Sequence, residues 1–109
     1  LREKKPAYIL PPIFESRGEY LRRLISGLEK QIKYLSDLYE QEMRELNTLI
    51  QIMEAEKEGL PEELKPIAEK NIERIESLKK EREEYYALLI ADLQFNLYVY
   101  QRLLEVIGA

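Results

Sequence analysis

The residues of this chain best able to do chemistry are charged side chains that interrupt rows of apolar residues. Glu42 interrupts one such row one turn after Tyr39, and Lys79 and Arg82 interrupt another row. A carboxylate beside cationic groups could act in acid–base chemistry or bind a charged ligand. The same four residues could instead form a polar layer that fixes the register of two packed helices. We favour the structural role, because nothing in the sequence outlines a desolvated pocket around them.

The residue types that most enzymes depend on are missing from the sequence. The 109 residues include neither His nor Cys, which removes the commonest general base, the commonest metal ligand and all thiol chemistry. The four glycines are isolated from one another, so there is no Gly-rich phosphate-binding loop. We therefore predict a protein that is not an enzyme and that uses no cofactor, metal ion or small-molecule substrate.

The charge balance bears on nucleic acid as a partner. A formal net charge of -4 argues against a protein that binds nucleic acid through bulk positive charge. A local group of cations near the start of the first predicted helix is nevertheless a candidate nucleic-acid contact: Arg17, Arg22, Arg23, Lys30 and Lys33. These residues support the alternative function, a small accessory subunit of a complex that handles nucleic acid in replication, repair or transcription.

The beginning of the chain predicts an extended arm followed by a helix. Three of the five prolines fall within residues 1–15 and disfavour a helix there. We expect the apolar residues of this arm to lie on another apolar surface. Ser16 and Glu19 have the spacing of a capping box, which predicts that a helix begins directly after Ser16.

Two runs of apolar residues follow, each with alternating steps of four and three positions. This heptad spacing predicts two long helices that pack along one seam. Between them, Gly59 suits the left-handed residue after a helix and Pro61 suits a helix start. The predicted fold is therefore all-α: a long antiparallel helical hairpin, or coiled coil, over residues 16–109. The first helix is expected at about 17–58, the turn at about 59–65 and the second helix at about 66–107.

The two seams also predict a register. Folding the chain back between Leu60 and Pro61 places Glu42 opposite Lys79 and next to Arg82. In the same register Tyr86 faces the leucine at position 35. Asn96, a polar residue in the second seam, is interpreted as a further device that fixes the register.

The second helix carries more apolar residues than one seam can use, mostly in the half away from the turn. A membrane span does not explain them, because Asp92 would lie near the middle of the bilayer. We interpret the excess as a protein interface. The candidate interface residues are Tyr85, Leu88, Ile90, Phe95, Leu97, Val99, Leu104 and Val106, with Leu24 and Leu38 on the first helix.

Three molecules could cover this apolar half: the arm of the chain itself, a second copy that completes a four-helix bundle, or a larger protein partner. We favour the arm and a second copy together. The half next to the turn is a charged stalk, with eleven Glu against seven Lys and Arg in residues 54–84. We therefore expect a non-enzymatic scaffold or adaptor protein that homodimerises through the apolar half and presents the charged stalk. A cytoplasmic location and a thermophile-like composition complete the sequence-based expectations.

Overall fold

The computed structural model describes residues 16–107, so the predicted arm of residues 1–15 lies outside the described range. Two α-helices of 42 residues each make up nearly all of it: α1 (Arg17–Glu58) and α2 (Lys65–Val106). A short 3-10 helix, Glu62–Leu64, lies between them. The two α-helices form an antiparallel hairpin, and the described residues contain no strand. The predicted all-α hairpin is confirmed.

Helix α1 begins with a reciprocal pair of hydrogen bonds. The backbone N–H of Glu19 donates to Oγ of Ser16 at 3.1 Å, and the backbone N–H of Ser16 donates to Oε1 of Glu19 at 2.9 Å. The first N–H groups of a helix have no acceptor within the helix. The capping box provides an acceptor for one of them, the N–H of Glu19. The predicted capping box is confirmed, and it explains why α1 begins at Arg17.

Helix α1 ends differently from the prediction. We expected Gly59 in the left-handed conformation, but its φ lies outside that region, so this expectation is wrong. Instead, the N–H of Gly59 donates to the carbonyl of Glu56 at 3.2 Å, and the N–H of Leu60 donates to the carbonyl of Lys57 at 3.1 Å. These two hydrogen bonds join residues three positions apart, so they tighten the last turn of α1. Their acceptors are carbonyl groups that would otherwise have no partner in the helix.

The two prolines of the turn sit where a missing backbone donor does little harm. Pro61 is the cap residue before the 3-10 helix, with φ -56° and ψ 152°. Pro66 is the second residue of α2, within the first turn, where an N–H group has no partner inside the helix. The 3-10 helix therefore separates the two prolines and lets α2 begin at Lys65.

The buried residues of the hairpin are few. Leu21, Met43, Ile72 and Tyr86 are the buried apolar side chains of the described range, and none of them is completely enclosed. Three of these four belong to the predicted seams, whereas Met43 does not. A pair of helices covers each partner on one side only, so most apolar residues stay partly in contact with water.

The buried rows drift away from the predicted seams along each helix. Leu49 and Leu103, both predicted seam residues, are exposed, and the next residues along the chain, Ile50 and Leu104, are half-buried in their places. A straight α-helix drifts by about 20° per heptad relative to a strict seven-residue repeat. After four or five heptads this amounts to about one residue position, which is the difference observed.

The facing residues are also shifted from the predicted register. Glu42 bonds Arg82 and not Lys79, a shift of three residues, and the ring of Tyr86 contacts the ring of Tyr39, four residues from its predicted partner at position 35. The connection is centred one residue later than the predicted fold point, which moves each facing residue by two. The long Arg and Tyr side chains reach the remaining distance along the helix axis.

Contacts within the chain divide it into two units. The turn unit comprises Lys33–Ala91 and contains the connection between the helices. The terminal unit comprises, within the described range, residues 16–32 and 92–107, which include the first part of α1 and the last part of α2. Each unit offers one candidate functional feature.

Candidate functional site

The first candidate is a polar layer in the turn unit, built around the carboxylate of Glu42. Arg82 donates two hydrogen bonds to it, from Nε to Oε2 at 2.5 Å and from Nη2 to Oε1 at 3.3 Å. The hydroxyl of Tyr86 donates a third, to Oε1 at 3.1 Å. These contacts join α1 to α2 through a two-pronged ion pair, a geometry that fixes both distance and orientation.

Aromatic rings enclose this ion pair. The ring of Tyr86 meets the rings of Tyr39 and Tyr85 edge-on, each at a centroid distance of 5.6 Å. The guanidinium carbon of Arg82 lies 4.9 Å from the ring centroid of Tyr85 and 5.3 Å from that of Tyr86. A cation at such distances is attracted by the ring faces. The rings therefore hold the Arg82 side chain in position to bond Glu42.

The layer shifts the proton affinity of its members. The hydrogen bond from Arg82 lowers the pKa of Glu42 below its usual 4.5, partial burial opposes this, and the hydrogen bond from Tyr86 adds to the lowering. The hydrogen bond to Glu42 in turn raises the pKa of Arg82. Both charges are therefore kept at neutral pH, and a carboxylate held ionised in this way is a poor general acid or base.

A pH-dependent stability follows from the lowered pKa of Glu42. Stability from the ionised carboxylate is fully present above the unfolded value of 4.5 and is lost as the pH falls through the lower, folded value. We expect Glu42→Gln to lower the thermal midpoint near neutral pH, and we expect the difference from wild type to close in acid. Thermal melts followed by circular dichroism between about pH 7 and about pH 3 measure this.

Glu40→Gln is the matched control, because Glu40 lies on the exposed side of the same helix turn. It should change the thermal midpoint little at any pH. A difference between Glu42→Gln and wild type that stays the same size in acid would contradict the role assigned to the ionised carboxylate.

The other two residues predicted for the polar layer, Lys79 and Asn96, are not among the hydrogen-bond partners of Glu42. Lys79 is half-buried and makes no salt bridge within residues 16–107. The side-chain amide of Asn96 donates to the backbone carbonyl of Asp92 at 3.1 Å, one turn earlier in its own helix. This bond does not join the helices. Sequence spacing identified Glu42 and Arg82 as parts of the site. It did not identify the hydrogen bond from Tyr86 to Glu42, because the spacing placed Tyr86 among the apolar seam residues.

The second candidate is an exposed apolar row on α2 in the terminal unit. Phe95, Val99 and Val106 are exposed by 64%, 41% and 73%. They recur at steps of four and seven, so they lie along one side of the helix. Tyr98 and Leu103, on either side of this row, are also exposed. An apolar strip of this kind on a helix is typical of a surface that contacts another protein.

The predicted interface residues fall into two groups. Phe95, Val99 and Val106 of the terminal unit are exposed, and so are Tyr85 and Leu88 of the turn unit. The others are half-buried within the hairpin: Ile90, Leu97, Leu104, Leu24 and Leu38. The half-buried group lies closer to the hairpin seam, so the exposed group presents the larger apolar surface to a partner.

An apolar groove lies between the beginning of α1 and the end of α2 in the terminal unit. Its volume is about 420 Å³. Its lining comes from both helices: Arg17, Tyr20, Leu21, Leu24, Tyr100, Leu103 and Ile107. The arm that we expect to cover an apolar surface lies outside the described residues, so its docking on this half of the hairpin stays a prediction.

The candidate nucleic-acid contacts do not form one continuous face. All five are exposed, but Arg17 lies roughly 120° or more around α1 from Arg22, Arg23 and Lys30 at 3.6 residues per turn. Lys33, in the turn unit, forms a salt bridge with Asp37 at 3.2 Å. Nucleic-acid binding therefore stays a prediction from charge alone.

No group of three or more acidic side chains in residues 16–107 is placed to hold a metal ion. Neither of the two long helices is apolar enough over a sufficient length to cross a membrane.

Comparison with known proteins gives no match: no family model, curated protein or solved structure matches this chain.

Proposed function

We propose that this chain is a non-catalytic scaffold or adaptor that acts through protein–protein contact and homodimerises through α2. The observation that carries this proposal is the exposure of Phe95, Val99 and Val106 on one side of α2 in the terminal unit. A second copy of the chain is the occupant that this row fits best. Two hairpins joined in this way would form a four-helix bundle.

The energetics favour a covered row. Apolar surface removed from water contributes about 25 cal/mol per Å², and a single aromatic side chain buries about 150–250 Å². Covering Phe95 of both copies would therefore contribute several kcal/mol before the cost of association is subtracted. The hairpin itself buries few side chains, so the additional buried surface of a dimer would increase its stability substantially.

The turn unit supplies the part of the molecule that a scaffold would present. Its surface near the turn is charged, with ion pairs between Lys57 and Glu54 at 3.2 Å and between Lys65 and Glu62 at 3.2 Å. Lys57 and Lys65 are half-buried, whereas Glu54 and Glu62 are exposed, so the two carboxylates are available for contacts with other molecules. The adaptor role rests on the pairing of this charged surface with a dimerising one.

The test of the proposal is the mass of the particle in solution. Light scattering across a concentration series should give twice the chain mass of 13.0 kDa for the wild type. Phe95→Glu combined with Val99→Glu should give the mass of one chain, because four new charges would have to be buried in the dimer. Both side chains are exposed, so the helical circular dichroism spectrum should be retained.

Ile52→Glu combined with Ile67→Glu is the matched control. It adds the same charge at exposed apolar positions of the turn unit, and it should leave the mass at two chains. A folded wild-type protein that stays at the mass of one chain at every concentration would overturn the proposal.

A further inference from the structure

The exposed row of α2 carries charges of opposite sign at its two ends. Asp92, Phe95, Val99 and Arg102 follow one another at steps of three, four and three residues, so they lie on one side of the helix. All four are exposed and all belong to the terminal unit. Along the helix, the order is acidic, apolar, apolar, basic.

This order is complementary to itself when reversed. If a second copy of α2 packs against the row in the antiparallel direction, Asp92 can face Arg102 of the second copy. Phe95 then faces Val99 of the second copy, and two-fold symmetry repeats both contacts. We propose that the homodimer forms in this register, with its two-fold axis crossing α2 near Leu97. This inference rests on the proposed function.

Other arrangements of the same row are less favourable. In a parallel pair each Asp92 would lie beside the same residue of the other copy, and so would each Arg102, so that like charges meet. Sliding the antiparallel pair by one heptad would place Asp92 against Phe95 of the second copy in one direction and Arg102 against Val99 in the other, which costs desolvation energy without an ion pair. Of these three arrangements, only the proposed register matches opposite charges.

The surroundings of the two charges within the hairpin agree with this assignment. The Asp92 carboxylate has no hydrogen bond or ion pair with another side chain of residues 16–107. Arg102 donates from Nη1 to Oε1 of Glu105 at 2.6 Å, and both side chains are exposed. A guanidinium carries five N–H donors, so the other nitrogens of Arg102 can bind a second carboxylate.

Charge reversal tests the register. Asp92→Arg alone would place two pairs of arginines face to face, and Arg102→Asp alone would place two pairs of aspartates face to face. Each should raise the dissociation constant of the dimer about tenfold, since two ion pairs become two repulsive pairs. The double variant, Asp92→Arg with Arg102→Asp, restores opposite charges and should return the constant close to that of the wild type. Sedimentation equilibrium measures the dissociation constants of the wild type, the two single variants and the double variant.

Disulfide cross-linking tests the same register by distance. The natural chain has no cysteine, so Asp92→Cys and Arg102→Cys each introduce a single thiol. A mixture of the two variants should form a disulfide-linked dimer on oxidation. Each variant alone should not, because ten residues at 1.5 Å separate its two thiols by about 15 Å along the axis, whereas a disulfide needs Cα atoms about 4.4–6.8 Å apart.

The outcomes separate this inference from the proposed function. A wild-type protein that stays monomeric overturns both the dimer and its register. A wild-type dimer that tolerates either single charge reversal, or whose mixed cysteine variants do not cross-link, overturns the register alone. A disulfide in the Asp92→Cys variant by itself would show that position 92 of the two copies lies together and would also overturn the register.

Discussion

Replacement of Tyr86 by Ala should lower the free energy of unfolding by about 3–5 kcal/mol, the usual cost of deleting a buried aromatic side chain. Tyr86 is 6% exposed, contacts two other tyrosine rings and donates a hydrogen bond to Glu42. Its removal leaves a cavity and takes one donor from the carboxylate. Domains of this size are commonly stable by only about 5–15 kcal/mol, so the loss would be a large fraction of the total. Urea unfolding followed by circular dichroism measures it.

Two further variants divide this loss into its parts. Tyr86→Phe keeps the ring and removes only the hydroxyl, and it should cost about 1 kcal/mol for the lost hydrogen bond. Tyr34→Ala is the matched control, because Tyr34 is 62% exposed in the same unit, and it should change the free energy of unfolding by less than about 1 kcal/mol. If Tyr86→Ala costs no more than Tyr34→Ala, Tyr86 does not anchor the hairpin.

Replacement of Ile72 by Ala should lower the free energy of unfolding by about 2–5 kcal/mol, because Ile72 is 4% exposed and its side chain packs between the helices near the turn. Few other side chains in the hairpin are as well covered, so the neighbours have little apolar material with which to fill the space. The measurement is again urea unfolding followed by circular dichroism, at a fixed protein concentration because the protein is proposed to dimerise.

The same substitution five residues earlier provides the control. Ile67 lies in α2 like Ile72 but is 58% exposed. Ile67→Ala should be close to neutral or slightly stabilising, because Ala has the higher helix propensity and little buried surface is lost. Equal effects at the two positions would show that helix propensity, and not packing between the helices, determines the stability near the turn.

The polar layer in the turn unit is better suited to fixing the register of the two helices than to raising the free energy of unfolding. A partly buried ion pair pays a desolvation cost that offsets much of its attraction. An apolar seam with heptad spacing can slide by seven residues and still match, but sliding would separate Glu42 from Arg82 and leave both charges without a partner. We therefore infer that this pair fixes which residues of α1 and α2 face each other.

Much of the fold can be predicted from local patterns in the sequence. The spacing of Ser16 and Glu19 predicts the start of α1, because a capping box depends on residues three positions apart. The alternation of apolar residues at four and three positions predicts two helices and their packing faces. The segment around Gly59 and Pro61 predicts where the chain reverses, because these residues are poor within a helix.

Details that depend on distance along the helix are beyond such patterns. The heptad rule predicts Leu49 and Leu103 in the seam, but the accumulated drift of a straight helix exposes both. The same drift brings Met43 into the buried set. The register could not be fixed either, since a 3-10 helix in the connection moves the facing residues and has no distinctive sequence signal here.

The candidate interface shows the same division. The sequence identifies an excess of apolar residues on the second helix but treats them as one group. The structure separates Leu97 and Leu104, which the hairpin partly covers, from Phe95, Val99 and Val106, which remain exposed. Only this separation makes the opposite charges of Asp92 and Arg102 visible as parts of the same exposed row.

The sequence by itself therefore determined that the chain is helical, where it reverses and which side of each helix is apolar, because helix caps, breakers and periodicity act over a few residues. Only the tertiary structure decided that Arg82 and Tyr86 bind Glu42 and that a row of α2 is left uncovered. Those outcomes depend on how two long helices align along their length, and small differences in turn geometry and helical period add up over that length.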